Sequence, residues 1–247
     1  MAGSDKPLPW LTFGFAGVTV LLVLSAFTDL RPLLPELLRG LKVTVLITLG
    51  AALLAVLLGL TAAVAKLYAP RPIRWLSVLY VEVFRGTSAL VQLFWLFFVL
   101  PLFGLTLSAY TVGIVALGLN IGAYGAEVIR GAILSVPRGQ WEAAGALNMS
   151  RMTALRRIIL PQAFPAMIPP WGNLFIELLK ATALVSLITL DDLSFKAQQL
   201  NQSTLRTMEV FSLTLLFYLG LAFIITAGMR WLERRVGRSH SRRGRSL

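Results

Sequence analysis

The chain contains no cysteine, so neither a disulfide nor a thiolate-bound metal can form within it. It has one histidine, His240, set in an arginine-rich tail and read as a solvated residue, which excludes histidine-based catalysis. Neither GxxxxGKS nor GxxxxGKT occurs, so there is no phosphate loop with which to hold ATP. Charge is scarce at 14% of residues, and acids are scarcer than bases, 11 against 23. The remainder is apolar: 57% of the 247 residues are hydrophobic, and the mean hydropathy is +0.76. That is too apolar for a soluble domain of this length and fits an all-α, polytopic membrane protein folded as one bundle.

The net charge of +12 could signal nucleic acid, but its placement argues otherwise. Arg230, Arg234, Arg235, Arg238, Arg242, Arg243 and Arg245 crowd the end of the chain directly after an apolar run, where basic residues report membrane topology. Crossing the hydrocarbon as a helix takes about 20 apolar residues, and six stretches qualify: Trp10–Thr28, Leu41–Tyr68, Trp75–Gly104, Ala109–Gly131, Pro165–Leu190 and Val210–Trp231. The first could be a signal peptide, but it lacks a basic start and a small-residue cleavage site before Asp29, which favours a retained span. Lys66, Arg71 and Arg74, then Arg130, Arg138, Arg151, Arg156 and Arg157, then the tail, form three basic clusters that belong in the cytoplasm. Alternation places 101–108 and 191–207 outside, where Asp191 and Asp192 offset Lys196 and Arg206. Six spans put both termini inside and five leave the N-terminus outside; the weak charges around the first span leave this open.

Three acid–base pairs recur at one spacing: Glu82 with Arg85, Glu127 with Arg130, and Glu177 with Lys180. At i and i+3 the two charges share a helix face and partly compensate each other. The first two are expected to be structural pairs or to snorkel to the cytoplasmic interface; Glu177 and Lys180 sit deeper, where an ionisable group points to a pathway. Pro165, Pro169, Pro170 and Gly172 should break the fifth span near its start, which a bilayer tolerates only where protein or a water-filled cavity satisfies the freed groups. Asn173 and Thr182 there, Asn120 and Tyr124 on the fourth span, and Thr87 and Gln92 on the third complete a polar lining for a small hydrophilic solute. The alternative reading is that these groups merely join helices. Gly113, Gly118, Gly122 and Gly125 permit close helix approach.

Between the fourth and fifth spans lies GQWEAAGALNMSRMTALRRIILP, from Gly139 to Pro161. Trp141–Leu147 should be helical, Ser150 can cap a second helix with Met152, Leu155 and Ile159 as its apolar stripe, and Pro161 marks the start of the next segment. A basic amphipathic helix can lie on lipid headgroups, but Ala143, Ala144 and Gly145 suit close packing in a protein groove.

The segment EAAGALNMSRMTALRRIILPQAFP resembles the EAA motif of permease subunits of bacterial ABC importers. YVEVFRGTSALVQLFW (80–95), LNIGAYGAEVIRGAILSVPRGQWEAA (119–144) and GNLFIELLKATALVSLI (172–188) resemble the polar amino acid branch of that family. The resemblance spans about Leu37 to Arg235. It implies a type I importer transmembrane domain with a core of five helices, six with the N-terminal span. The organisation it implies is an N-terminal span and linker (1–36), a permease domain (37–232) with the EAA loop at 137–161, and a basic cytoplasmic tail (233–247).

It also implies a multi-pass protein of the bacterial inner membrane, paired with an identical or paralogous permease, two ATP-binding cassette subunits and an extracytoplasmic solute-binding protein. ATP and magnesium would be bound by the ATPase, and no cofactor by this chain. Gly139, Gln140, Trp141, Glu142, Ala143, Ala144, Gly145 and Asn148 are the coupling residues by this likeness, the helix around Glu142–Ala144 fitting a cleft in the ATPase.

Departures from the pattern bear on cargo. The branch commonly has RGTP, GNE and KDTSL, where this chain has Ser88, Leu174 and Ala181. Asn148 replaces a glycine, and asparagine tolerates left-handed backbone angles. The two missing carboxylates would deprive a cationic side chain of its counter-charge, so arginine, lysine and histidine are poor candidates. A neutral or zwitterionic solute fits better, and RGTSALVQLFW with KATALVSLI resembles the ectoine/hydroxyectoine branch. Competing readings are a secondary transporter or channel, which calls for an inverted repeat or ion-coupling site, and a membrane anchor for a complex, which needs no polar lining.

Overall fold

The computed structural model describes residues 31–243, with side chains as far as Val236. The expected first span, Trp10–Thr28, lies outside the described residues. Nine α-helices follow in order among them: α1 (Leu34–Tyr68), α2 (Arg71–Gly86), α3 (Ala89–Phe94), α4 (Ala109–Leu134), α5 (Arg138–Ala146), α6 (Arg151–Ala154), α7 (Leu160–Ala181), α8 (Leu193–Thr204) and α9 (Thr207–Arg243). A π turn (Trp95–Val99) and a 3-10 turn (Leu100–Phe103) extend α3, a π turn (Leu155–Ile159) joins α6 to α7, and a 3-10 turn (Thr182–Ile188) extends α7. Four helical runs are long and apolar enough to cross a membrane, five if α2 and the α3 run make one bent span.

The most extensive interface joins α1 to α4. Bilayer lipid supplies no hydrophobic force between helices, so association depends on close packing of small residues. α1 buries Gly40, Thr44, Ala51, Ala55, Gly59 and Ala63 on one face, and α4 buries Gly113, Gly118, Gly122 and Gly125. A Cβ on Gly122 would lie 3.2 Å from the Ala55 carbonyl oxygen and 2.8 Å from Tyr80 Oη, while Gly113 is placed against Ile47. Lys66 reaches Glu127, so the two helices run in the same direction, as alternation of the spans requires.

The third span differs from the uninterrupted Trp75–Gly104 helix that hydropathy predicts. α2 and the α3 run meet at 106°, because Thr87 (φ −118°, ψ 152°) and Ser88 (φ −67°, ψ 135°) are extended. A bend inside a bilayer frees carbonyls that water cannot satisfy. Here side chains do: Asn120 Nδ2 donates to the Phe84 carbonyl (2.9 Å), Gln92 Nε2 donates to the same oxygen (2.9 Å), and Tyr124 Oη donates to the Arg85 carbonyl (3.3 Å). Thr87 Oγ1 donates to Val83 (2.8 Å) and accepts from Gln92 Nε2 (2.7 Å).

The fifth span also departs from expectation. Its prolines do not break it, and Pro161 does not start a new segment: helix runs from Arg151 to Ile188. The π turn absorbs Pro161, with Leu160 N–H donating to the Leu155 carbonyl one residue further back than in an α-helix. Pro165 and Pro169 then recur every fourth residue, so the missing donors leave carbonyls free along one side while the other side stays bonded. The change of conformation comes later, where α7 tightens to 3-10 and ends on left-handed Thr189 (φ 60°).

Polar knots close both ends of the bundle. Glu127 is gripped by Lys66 Nζ (2.6 Å) and by Arg130 (2.8 Å), so the expected Glu127/Arg130 pair forms and recruits a third residue. At the other end Asp192 is fully buried and caps α8, accepting from Phe195 N–H (2.8 Å) and Ser194 N–H (3.2 Å). Burial pushes its carboxyl up to about 6 against the pull of those two donors. Asp191, by contrast, faces outward and pairs with Lys196 (3.3 Å).

Candidate functional site

Two features stand out from a bundle otherwise closed on itself: the two-helix loop at one end and an uncovered polar stripe along α7.

The loop is a folded unit. α5 ends in a Schellman turn, with Met149 N–H donating to the Ala144 carbonyl (3.0 Å) and Asn148 N–H to Gly145 (2.9 Å). Asn148 takes the left-handed conformation (φ 54°) that this turn demands, so the asparagine does what a glycine would. Ser150 caps α6, accepting from Thr153 N–H at 3.2 Å.

Beneath, Leu155 and Ile159 are buried, Trp141 packs on Tyr68 with ring centroids 6.3 Å apart, and Gln162 donates to Gln140 (3.1 Å). Ala144 turns inward and is buried, 1% exposed. It is therefore part of the loop's own packing and is not open to a partner, which corrects the grouping of Ala143, Ala144 and Gly145 as one surface. Of the predicted coupling residues, Gly139, Gln140, Glu142, Ala143, Gly145 and Asn148 are exposed. To these the structure adds Leu147 at 73% exposure, which sequence reasoning passed over, and Met152 at 46%, which it placed in the apolar stripe of the second helix with Leu155 and Ile159. Apolar side chains at the tip of a polar loop were a readable signal of contact, because neither faces the bundle.

The eight predicted pathway residues fall into three groups. Thr87, Gln92, Asn120 and Tyr124 gather at the bend between α2 and α3, where their hydrogen bonds hold freed carbonyls. Asn173, Glu177 and Lys180 lie exposed along α7. Thr182 is fully buried and donates to the Leu179 carbonyl at 2.6 Å, facing neither group. Among the described residues no hydrogen bond or ion pair links the bend to the stripe, and none joins Glu177 to Lys180 or Glu82 to Arg85. Neither pair forms: Arg85 lies over the Tyr124 ring instead (5.4 Å), and Glu177 and Lys180 are both exposed on the outside of the subunit.

Pro161, Pro165, Pro169, Asn173, Glu177 and Lys180 form one stripe at near-helical spacing, all exposed or half-buried. Freed carbonyls run into an amide, a carboxylate and an ammonium without interruption, and no part of this subunit covers them. Beside the stripe, a cleft of about 190 Å³ between α7 and α9 is lined by Pro169, Gly172, Asn173, Thr226, Arg230 and Glu233 among others. No group of three or more His, Cys, Asp or Glu side chains among the described residues could hold a metal. Such a stripe cannot face acyl chains; it suits water, a polar solute or a second polypeptide.

Comparisons with known proteins agree with this geometry. Residues 55–238 match the family described as binding-protein-dependent transport system inner membrane component. The chain is 47% identical over 206 residues to "Probable amino-acid ABC transporter permease protein y4tF" of Sinorhizobium fredii, covering 81% of this chain and 87% of that protein. It is 40% identical over 205 residues to the L-cystine transport system permease protein TcyB of Bacillus subtilis, covering 83% and 88%. A crystal structure of an amino acid ABC transporter with histidines superposes with a TM-score of 0.78 at 36% identity, over 85% of this chain and 98% of that one.

Proposed function

The chain belongs to the binding-protein-dependent transport system inner membrane component family, and from that premise we propose that it lines the passage for a small neutral or zwitterionic amino acid or compatible solute. It is a multi-pass inner-membrane permease subunit of an ABC importer, with the type I importer fold, and is not itself an enzyme. The observation that carries the proposal is the α7 stripe: freed carbonyls, Asn173, Glu177 and Lys180 lie uncovered along a membrane helix. A second permease copy or paralogue facing that stripe would enclose a polar passage between subunits. Thr87, Gln92, Asn120 and Tyr124 support the passage by fixing the bend of the third span, and Thr182 by fixing the end of α7.

On the loop, Glu142, Ala143, Gly145, Leu147 and Asn148 offer a face to a cytoplasmic ATPase that binds ATP and magnesium. Gly139 borders that face, and Gln140, Trp141 and Ala144 hold it on the bundle. Closure of the ATPase would then pull α5–α7 as one piece, because helix continues from Arg151 through the stripe, and alternate access of the passage. An extracytoplasmic binding protein would deliver the solute at the opposite end.

Leu174 is buried and Ala181 is apolar where the branch carries acids, which favours glutamine or ectoine over a cationic amino acid. Uptake of labelled glutamine, ectoine and arginine by cells expressing the whole importer tests this. Accumulation of glutamine or ectoine with no arginine is expected, and robust arginine transport sinks the charge argument. Ala143→Trp should abolish copurification of the ATPase and uptake together while the permease still inserts in the membrane. An ATPase that stays bound to that variant removes the coupling role of this face.

A further inference from the structure

We propose that Arg85 is the subsite that receives the carboxylate of the solute, within the membrane span beside the bend of the third span. This rests on the permease reading above and deepens it. Arg85 is the penultimate residue of α2 and is exposed on the isolated subunit. No carboxylate lies within 4 Å of it among the described residues, although Glu82 stands one turn away. Its guanidinium rests over the Tyr124 ring at 5.4 Å, and Tyr124 Oη donates back to the Arg85 carbonyl at 3.3 Å. One tyrosine thus fixes both the backbone and the charged end of this arginine.

Depth makes the placement informative. On α4 (Ala109–Leu134), Tyr124 lies about 22 Å from the Ala109 end and about 15 Å from the Leu134 end at 1.5 Å per residue. That helix is longer than a hydrocarbon core about 30 Å thick, and Tyr124 lies one turn inward of Glu127, which closes that end of the bundle with Lys66 and Arg130. A cation so placed must face a water-filled cavity or an anion. Lys66 and Arg130 have Glu127 for this purpose. Lys180 is another uncovered cation, but nothing holds its ammonium in one place, whereas Arg85 is stacked and oriented in advance.

The guanidinium fork matches a carboxylate with two parallel hydrogen bonds. At the same bend Gln92 Oε1 is buried without a donor, while its Nε2 is engaged with Phe84 and Thr87; being an acceptor, it calls for an N–H group such as the solute's nitrogen and not for its carboxylate. Every amino acid carries the carboxylate, as does ectoine, so this subsite would serve any of them. The absence of acids at Leu174 and Ala181 would then exclude a second positive charge at the side-chain end.

The test is equilibrium dialysis of labelled glutamine and ectoine against the purified permease–ATPase complex without binding protein, alongside uptake by the complete importer in vesicles. Arg85→Gln should weaken binding at least tenfold, with Arg85→Lys intermediate. Glutamine methyl ester, which lacks the anionic carboxylate, should compete poorly against wild type and no worse against Arg85→Gln. Three results overturn the subsite: Arg85→Gln binding as wild type does, import by a wild-type complex that binds neither solute, or loss of permease pairing in both variants, which would make Arg85 a subunit contact. Failure of the permease reading itself looks different, since the wild-type importer would then take up neither solute.

Discussion

Two spans of this bundle lose backbone hydrogen bonds, and only one regains them within the subunit. At the bend between α2 and α3, donors from Gln92, Asn120 and Tyr124 meet the carbonyls of Phe84 and Arg85. Along α7, three prolines free carbonyls on a side that nothing in the subunit covers. The first is a closed account of a distortion; the second is an open one. A buried carbonyl without a donor costs about 1–3 kcal/mol, so an open stripe persists only where another polypeptide or water completes it. The comparison separates polar residues that build the subunit from polar residues offered to something else.

Removing the donors at the closed bend should have the largest effect. Gln92→Leu combined with Asn120→Leu leaves the Phe84 carbonyl without a partner, with an expected loss of about 2–5 kcal/mol, read as a lower apparent melting temperature and poor recovery of the folded complex. Glu177→Leu on the open stripe should do the reverse. Uptake should fall at least tenfold, about 1.4 kcal/mol in barrier terms, with the melting temperature within a degree or two of wild type. If Glu177→Leu destabilises the subunit as much as the double variant, the stripe is structural and the contrast collapses.

The smallest effect concerns Asp192, a closed polar group whose charge is poorly accommodated. Its folded-state pKa, about 6, exceeds the ordinary aspartate value of 3.8, so the folded protein holds the proton more tightly than the unfolded chain. Stability should therefore rise as pH falls through 6 toward 4, by about 1 kcal/mol at pH 5 relative to pH 7.5. Asp192→Asn keeps a capping side chain and should flatten that slope. A slope unchanged in the variant assigns the pH dependence elsewhere.

Much of this was legible in the residues because it is local. Asn148 and Ser150 mark the loop's turn and cap, and both act within a few residues of themselves. The Glu127/Arg130 pair forms for the same reason. Less was legible where the decisive partner is remote. Asn120 and Tyr124 were read as polar lining, and the carbonyls they hold at the bend lie more than thirty residues away. Ala144 looked like surface, and its burial depends on how α5 docks on the bundle. The prolines of the fifth span were read as a break because each removes a donor, yet their four-residue spacing concentrates the loss on one side and the opposite side holds the helix together.

The sequence by itself determined the class, the number and order of apolar runs, the basic loops and the two-helix loop, since hydropathy, charge placement and turn chemistry act over short stretches. Only the tertiary structure decided which polar groups are consumed inside the subunit and which remain free. That choice depends on what each helix packs against, and at the bend of the third span and along α7 the packing partner is set by helices far away in the chain.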